Sequence, residues 1–176
     1  MKQVCLLTGQ PGTGKTSLIK QSVAGMGGKV GGFYTEEIRS RGVRQGFRLV
    51  TLDGKSTILA HIDIKSPYRV SKYGVDPDNL DQVGVSALQD AAQRCDLVVI
   101  DEIGKMELFS ANFREAVCQI IDRGLRILGT IMIKPNPWAD ALKRRPEVHL
   151  VTVTRDNHGK VLAELRQWLD FMREPA

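Results

Sequence analysis

The chain has 176 residues, of which 42% are hydrophobic and 26% are charged. These fractions are ordinary for a globular protein, so they exclude a chain that is disordered throughout, and the length suits one domain covering residues 1–176. Lysine and arginine number 25 against 20 aspartates and glutamates, which gives a net charge of +5. A mildly basic chain of this kind suits a polyanionic ligand such as a nucleotide.

The cysteines and histidines follow no pattern of a disulfide framework or a metal site. Cys5, Cys95 and Cys118 are odd in number and form no C-x-x-C pair, and the three histidines are scattered without metal-ligand spacing. No apolar run approaches the length needed to cross a membrane. We therefore expect a soluble protein of the reduced cytoplasm without a membrane partner.

Short apolar runs alternate with amphipathic segments in the first half of the chain. The pattern predicts a buried strand at residues 4–8, a helix at 16–24 that is stopped by glycines 25, 27 and 28, and a strand at 29–38. Two more strands, at 47–52 and 56–61, flank the hairpin signal Asp53-Gly54. Residues of about 39–62 are therefore predicted to form an antiparallel excursion.

The alternation continues in the second half. A helix is predicted at 78–94, a fully apolar strand at 97–100, and a helix capped by Ser110 after that. Further strands are predicted at 127–133 and 148–153, the proline-rich stretch 134–138 is predicted to be a loop, and a final helix carries an apolar stripe that includes Val161 and Trp168. Strands separated by helices predict a mostly parallel central sheet covered on both faces, which is a three-layer α/β fold.

The strand at 4–8 leads into a glycine-rich motif, G-x-x-x-x-G-K-[ST], which binds phosphates in many proteins. Its glycines let backbone N–H groups point at phosphate oxygens, the lysine supplies a mobile cation for the β- and γ-phosphates, and the threonine hydroxyl is a ligand for Mg²⁺. We refer to this segment as the phosphate loop; its residues are Gly9, Gln10, Pro11, Gly12, Thr13, Gly14, Lys15 and Thr16.

Two acids follow the apolar strand at 97–100. Asp101 emerges at the carboxyl end of this strand, where ligands bind in open α/β sheets, so we expect it to meet the phosphate loop and to hold Mg²⁺ through water. Glu102 is placed one residue further on, where it can orient or deprotonate an attacking water. These features favour a hydrolase that acts on a nucleoside triphosphate.

The cation that would complete such a site is open from the residues alone. Lys105 lies just past the strand end and either stabilises charge on the γ-phosphate or is solvated. Four arginines cluster in the antiparallel excursion, and one of them could act as an arginine finger, although hairpins commonly carry solvated charge. They are Arg39, Arg41, Arg44 and Arg48.

Four further stretches of the sequence form a specific pattern: residues 32–39 (GFYTEEIR), Gly46-Phe47, Tyr73-Gly74-Val75 and above all residues 101–108 (DEIGKMEL). Together with the phosphate loop they resemble the THEP-type nucleoside-triphosphatase family. It implies a RecA-like phosphate-loop fold and Mg²⁺-dependent hydrolysis of nucleoside triphosphates to diphosphates and phosphate, with little discrimination among bases such as those of ATP and GTP.

The resemblance also implies which residues form the site. Besides the phosphate loop, it implies nucleotide contacts by Asp101, Glu102, Ile103 and Gly104, with Thr16 and Asp101 at the metal. It places the loop at 154–157 beside the base, with Asn157 as the contact. Glu102 and Lys15 are the implied catalytic residues, and Lys105 and Arg44 are the implied contacts of the γ-phosphate.

Other functions remain possible for the same scaffold. A small-molecule or nucleotide kinase would use the arginines of the excursion as a lid over an acceptor pocket, whereas Glu102 directly after Asp101 favours water as the acceptor. A nucleic-acid motor subunit is permitted by the charge, but 176 residues leave little room for a recognition module, so a nucleic-acid partner is not expected. A binding module without catalysis conflicts with the intact Lys15 and Thr16. The oligomeric state is not predicted.

Overall fold

The computed structural model describes residues 1–26 and 29–173. Within these residues nine strands join into one sheet. The strands are β1 (Val4–Thr8), β2 (Val30–Ser40), β3 (Val43–Thr51), β4 (Ser56–His61), β5 (Arg69–Val70), β6 (Tyr73–Val75), β7 (Leu97–Ile103), β8 (Ile127–Ile131) and β9 (Val148–Thr152). The order across the sheet is β5-β6-β4-β3-β2-β7-β8-β1-β9.

Helices cover both faces of this sheet. They are α1 (Lys15–Val23), α2 (Pro77–Asn79), α3 (Ser86–Arg94), α4 (Ala111–Asp122), α5 (Pro137–Lys143) and α6 (His158–Phe171), with a π-helical turn at Leu80–Val85 and a 3₁₀ turn at Glu107–Phe109. No helix in the described ranges is long and apolar enough to span a bilayer. The predicted three-layer α/β fold is confirmed.

The sheet has a parallel half and an antiparallel half. Strands β2, β7, β8, β1 and β9 run parallel, and every residue of β1 and β8 is buried because helices lie on both sides. Beyond β2 the pairing is antiparallel through β3, β4, β6 and β5. The predicted excursion is therefore present, and it runs further than residue 62, to Val75 at the end of β6.

The hairpin between β2 and β3 was missed in the sequence. The turn consists of Arg41 and Gly42, whose φ angles of 51° and 76° are both positive, as a two-residue type I′ turn requires. Arginine is rare at the first of these positions, so the pair gives no clear turn signal. As a result β2 runs to Ser40 and β3 begins at Val43, four residues before the predicted start.

The core consists of two apolar layers separated by the sheet. One layer packs α3 and α4 on the sheet through side chains such as Leu88, Phe113 and Val117. The other packs α1 and α6 on the opposite face through Ile19 and Trp168, among others. Consequently, α1, which follows the phosphate loop, is held between the parallel strands and the last helix.

Several predicted helices have different bounds in the structure. The helix predicted at 78–94 is divided into α2, the π-helical turn and α3, and Gly84 in that turn lies so close to Leu49 that a Cβ would stand 2.8 Å from its Cδ1. The predicted loop at 134–138 contains the start of α5, because Asn136 Oδ1 caps the N–H groups of Trp138 and Ala139. Helix α1 ends at Val23, while glycines 27 and 28 lie outside the described residues.

Candidate nucleotide site

The phosphate loop connects β1 to α1 at the carboxyl edge of the parallel strands. Gly9 has φ of +147°, and a Cβ there would lie 2.4 Å from the carbonyl oxygen of Val153. Gly14 has φ of +81°, and a Cβ there would lie 2.5 Å from the His158 ring. Both positions therefore exclude other residues on backbone and steric grounds. The loop directly precedes α1, whose N-terminus favours an anion.

Lys15 lies folded over this loop. Its Nζ donates hydrogen bonds to the carbonyl oxygens of Gly9, at 3.0 Å, and Gln10, at 2.9 Å. Partial burial lowers the pKa of Lys15, and the negative charges of Glu102 and Asp101 act in the opposite direction. The ammonium group is thus held beside both the loop and the acids at the end of β7.

Asp101 is where the loop and the central strand meet. Its side chain is almost fully buried, and both carboxylate oxygens accept a hydrogen bond at 2.6 Å, Oδ2 from the Thr16 hydroxyl and Oδ1 from the Thr130 hydroxyl. The Thr35 hydroxyl donates to the Asp101 carbonyl at 2.7 Å. Burial raises the pKa of Asp101, while the two hydroxyl donors partly oppose this.

Glu102 lies next to Asp101 at an irregularity in the sheet. The register of β7 with β8 shifts between Ile100 and Ile103, so neither acid takes part in regular pairing there. Burial raises the pKa of Glu102, and the neighbouring charge of Asp101 adds to the effect. The Glu102 carboxylate rests against Gly104, since a Cβ at Gly104 would be 2.5 Å from Glu102 Oε1.

The two residues after Glu102 form backbone hydrogen bonds at the end of β7. Ile103 is buried in the apolar layer that contains α4, and its carbonyl accepts from the N–H of Met132 at 3.0 Å. Gly104 donates its N–H to Glu107 Oε2 at 3.2 Å. Glu107 is 3% exposed and was not singled out in the sequence, because nothing in a local pattern distinguishes a buried glutamate from a surface one.

The two cations predicted at the γ-phosphate, Lys105 and Arg44, have different surroundings. Lys105 is exposed. Arg44 lies on β3, where it donates to the Tyr73 hydroxyl at 2.9 Å and to Glu37 Oε1 at 3.2 Å and stands over the Phe47 ring. The hydrogen bond with Tyr73 raises the pKa of Arg44, and that with Glu37 adds to it. In this structure Arg44 therefore contacts residues of the antiparallel half.

Arg39 also pairs with Glu37, at 2.6 Å, while Arg41 and Arg48 are exposed. The structure thus gives two of the four clustered arginines an acidic partner on their own hairpin.

The loop between β9 and α6 adjoins the phosphate loop. The side-chain amide of Asn157 accepts from the Thr154 N–H at 2.8 Å and donates to the Thr152 carbonyl at 2.9 Å, so both ends of this amide bind its own loop. The next residue, His158, hydrogen-bonds through Nε2 to the carbonyl of Thr13. This contact spans 145 positions and could not be read from the sequence.

The donor set at this edge fits Mg²⁺. The Thr16 hydroxyl and the Asp101 carboxylate are hard oxygen ligands and already lie together. In the described residues no group of three or more histidine, cysteine or acidic side chains could hold a metal. Mg²⁺ does not need such a cage, because it takes one or two protein ligands together with phosphate oxygens and water.

A glycine loop between a buried strand and a helix, with its lysine and threonine beside the acid of a nearby parallel strand, defines a phosphate-loop NTPase. A family model described as NTPase matches residues 4–166, and the chain belongs to this family of nucleoside-triphosphatase enzymes.

Named proteins agree with this assignment. The chain is 45% identical over 168 residues to "Nucleoside-triphosphatase THEP1" of Thermotoga sp. (strain RQ2), covering 96% of each chain. It is similar to the crystal structure of THEP1 from Aquifex aeolicus, with a TM-score of 0.85, 33% identity, and coverage of 97% and 99%. It is also similar to the solution structure of a human cancer-related nucleoside triphosphatase, with a TM-score of 0.81, 36% identity, and coverage of 99% and 100%.

Proposed function

We propose that this protein is a Mg²⁺-dependent nucleoside-triphosphate phosphohydrolase that converts a nucleoside triphosphate and water to the diphosphate and phosphate. The observation that carries the proposal is the 2.6 Å hydrogen bond between Thr16 of the phosphate loop and the buried Asp101 carboxylate. This hydrogen bond places the phosphate loop next to the acid that would hold the metal, and hydrolysis of a triphosphate needs both. Relatives named nucleoside-triphosphatases support the same reaction.

The residues divide the work between binding and chemistry. The phosphate-loop amides and Lys15 bind the β- and γ-phosphates, and Thr16 and Asp101 hold the metal. Mg²⁺, when bound, neutralises charge on these phosphate oxygens. Glu102 orients the attacking water, and its raised pKa makes it a better proton acceptor than an exposed glutamate.

Charge on the γ-phosphate is balanced by a further cation. Lys105 is exposed and lies three residues beyond Glu102 in the sequence, so it is our first choice for this cation. Arg44 is the second, and it would have to give up its bonds to Glu37 and Tyr73 to contact the nucleotide. Ile103 and Gly104 border the phosphates through their backbone.

Broad use of bases follows from the loop at 154–157. Strong discrimination needs buried polar groups that a wrong base leaves unpaired. The residues 154–156 are exposed, and the Asn157 amide is already satisfied by Thr152 and Thr154. We therefore propose that Asn157 shapes the base edge of the site without selecting one base. The free cysteines Cys5, Cys95 and Cys118 fit a reduced compartment, and we propose the cytoplasm.

Hydrolysis is favoured over phosphoryl transfer to another acceptor. Two of the arginines that a kinase lid would use, Arg39 and Arg44, are paired with Glu37. The NTPase family match points the same way.

The test is phosphate release from ATP with Mg²⁺ and no other acceptor. We expect turnover that stops when the metal is chelated, and kcat/KM values for ATP, GTP, CTP and UTP that agree within about tenfold. Glu102→Gln should lower kcat on the order of 100-fold or more while calorimetry still detects nucleotide binding. Glu115→Gln, on the exposed side of α4, is the matched control and should retain activity. Release that requires an added nucleoside or sugar would instead make the protein a kinase.

A further inference from the structure

The structure contains a buried acid that the proposed reaction does not use. Glu107 lies in the 3₁₀ turn after β7 and is 3% exposed. Among the described residues, no lysine, arginine or histidine forms an ion pair with its carboxyl group. Burial raises the pKa of Glu107 well above its usual range, and the negative charges of Glu102 and Asp101 add to this effect.

A buried acid without a basic partner adds little to stability near neutral pH. Removing a carboxyl group from water without a basic partner costs free energy, and an apolar side chain of similar size would fill the same space at lower cost. A buried polar group of this kind calls for another reason. The hydrogen bond that Glu107 accepts from the backbone of Gly104 indicates its role.

Glu107 is connected to Glu102 through a single residue. Glu107 Oε2 accepts the N–H of Gly104 at 3.2 Å, and the Glu102 carboxylate lies against the α-carbon of the same glycine. The turn is closed further by the N–H of Leu108, which donates to the Gly104 carbonyl at 3.0 Å. The position of the Gly104 backbone therefore limits where the Glu102 carboxylate can lie.

We propose that Glu107 is a positioning residue: its buried carboxyl group fixes the Gly104 turn and thereby holds the Glu102 carboxylate against the attacking water. This inference rests on the proposed hydrolysis, in which Glu102 acts on water. A misplacement of a catalytic group by about 1 Å can cost on the order of 100-fold in rate, so loss of the fixed turn should lower kcat measurably.

The test compares two substitutions of similar size. Glu107→Met removes the acceptor of the Gly104 N–H, and we expect kcat for ATP hydrolysis to fall on the order of 10- to 100-fold with KM and the calorimetric Kd within about threefold of wild type. Glu107→Gln keeps a neutral acceptor oxygen and should retain kcat within about threefold. Wild-type kcat in Glu107→Met, or an equal loss in Glu107→Gln, would overturn the inference.

A double mutant separates positioning from a general structural effect. If Glu107 acts through Glu102, then Glu102→Gln with Glu107→Met should be no slower than Glu102→Gln alone, within about threefold. Independent losses that multiply would contradict this.

A second route to the same contact is available if Glu107→Met does not fold. Gly104→Ala places a Cβ 2.5 Å from Glu102 Oε1 and displaces that flexible side chain, so kcat should fall with KM retained. Gly25→Ala adds a Cβ with nothing within 4 Å and is the control. Unchanged kcat in Gly104→Ala would contradict the role of Glu107 but would leave the proposed hydrolysis intact. A wild-type protein that releases no phosphate would instead refute the proposed function, and the inference with it.

Discussion

Individual side chains in this site are held by residues that are far away in the sequence. The Asp101 carboxylate accepts hydrogen bonds from the hydroxyl groups of Thr16 and Thr130, which lie 85 and 29 positions away in the sequence. His158 reaches the phosphate loop across 145 positions and packs against Gly14. These contacts hold Asp101, Thr16 and the phosphate loop together, and groups that are already in place reduce the ordering cost of binding a ligand.

The contact of His158 makes a prediction about affinity. His158→Ala removes the hydrogen bond to the Thr13 carbonyl and frees the phosphate loop, so nucleotide Kd should rise about twofold to tenfold, as expected for the loss of one hydrogen bond. The rate of the chemical step should change less, because Glu102 and Asp101 are untouched. Calorimetry and single-turnover kinetics measure the two effects.

His149→Ala is the control, since His149 lies on β9 and pairs with Glu164 away from the phosphate loop. Equal Kd values for His158→Ala, His149→Ala and the wild type would show that His158 does not organise the loop.

Among the elements, α4 links the loop after β7 to the core. Its apolar face, made of Phe113, Ala116, Val117, Ile120 and Ile121, is buried as the helical spacing predicts. Ser110 caps the helix, and its Oγ accepts from the N–H of Phe113 at 3.0 Å. The same hydroxyl donates to Asp81 in the π-helical turn, so one side chain joins two elements.

The cap should therefore have a clear effect on stability. Ser110→Ala leaves the Phe113 N–H without its partner at a buried position, and we expect the free energy of unfolding to fall by about 1–2 kcal/mol. Urea unfolding monitored by circular dichroism gives this value. Ser86→Ala, at the exposed start of α3, should change stability by less than about 0.5 kcal/mol. Similar losses for the two variants would mean that the cap contributes little.

For the whole molecule, the fold gathers three acids at one edge of a chain that is basic overall. Asp101, Glu102 and Glu107 all have a raised pKa, and burial is the main cause for each. Folding therefore makes the charged form of these carboxyl groups less favourable, and any ligand that binds only the folded state raises its stability. The parallel half of the sheet carries this edge, whereas the antiparallel half extends away from it.

The buried acids set the direction of the pH dependence of stability. The pKa of Glu107 is raised in the folded state, so its contribution is fully present below the unfolded pKa of about 4.3 and is lost as pH rises toward the folded pKa. Without nucleotide or metal, the wild type should lose stability relative to Glu107→Gln as pH rises. Urea unfolding over about pH 5 to about pH 9 tests this.

Glu147→Gln is the control, because its pH dependence lies below this range. The hydrogen bond with Arg145 lowers the pKa of Glu147, so any contribution of this partly exposed pair is present above the unfolded pKa and is lost only as pH falls. A constant difference between Glu107→Gln and wild type across the range would show that Glu107 does not keep its proton on folding.

The amino-acid sequence alone determined the order of most elements, the phosphate loop and the two acids near the end of β7. These features depend on local patterns, namely apolar periodicity, capping residues and motif spacing, which act over a few residues. The Arg41-Gly42 turn was not predicted because its residues give only a weak turn signal. The excursion was predicted too short because the short strands β5 and β6 also give only a weak local signal.

Only the tertiary structure decided which side chains surround these motifs. The partners of Asp101 depend on strand order, with β8 lying between β1 and β7, and the contact of His158 depends on how α6 packs against α1. The burial of Glu107 and the ion pair of Arg44 with Glu37 depend in the same way on which elements lie next to them. Contacts across long separations are set by the packing of the whole chain, and no local pattern records them.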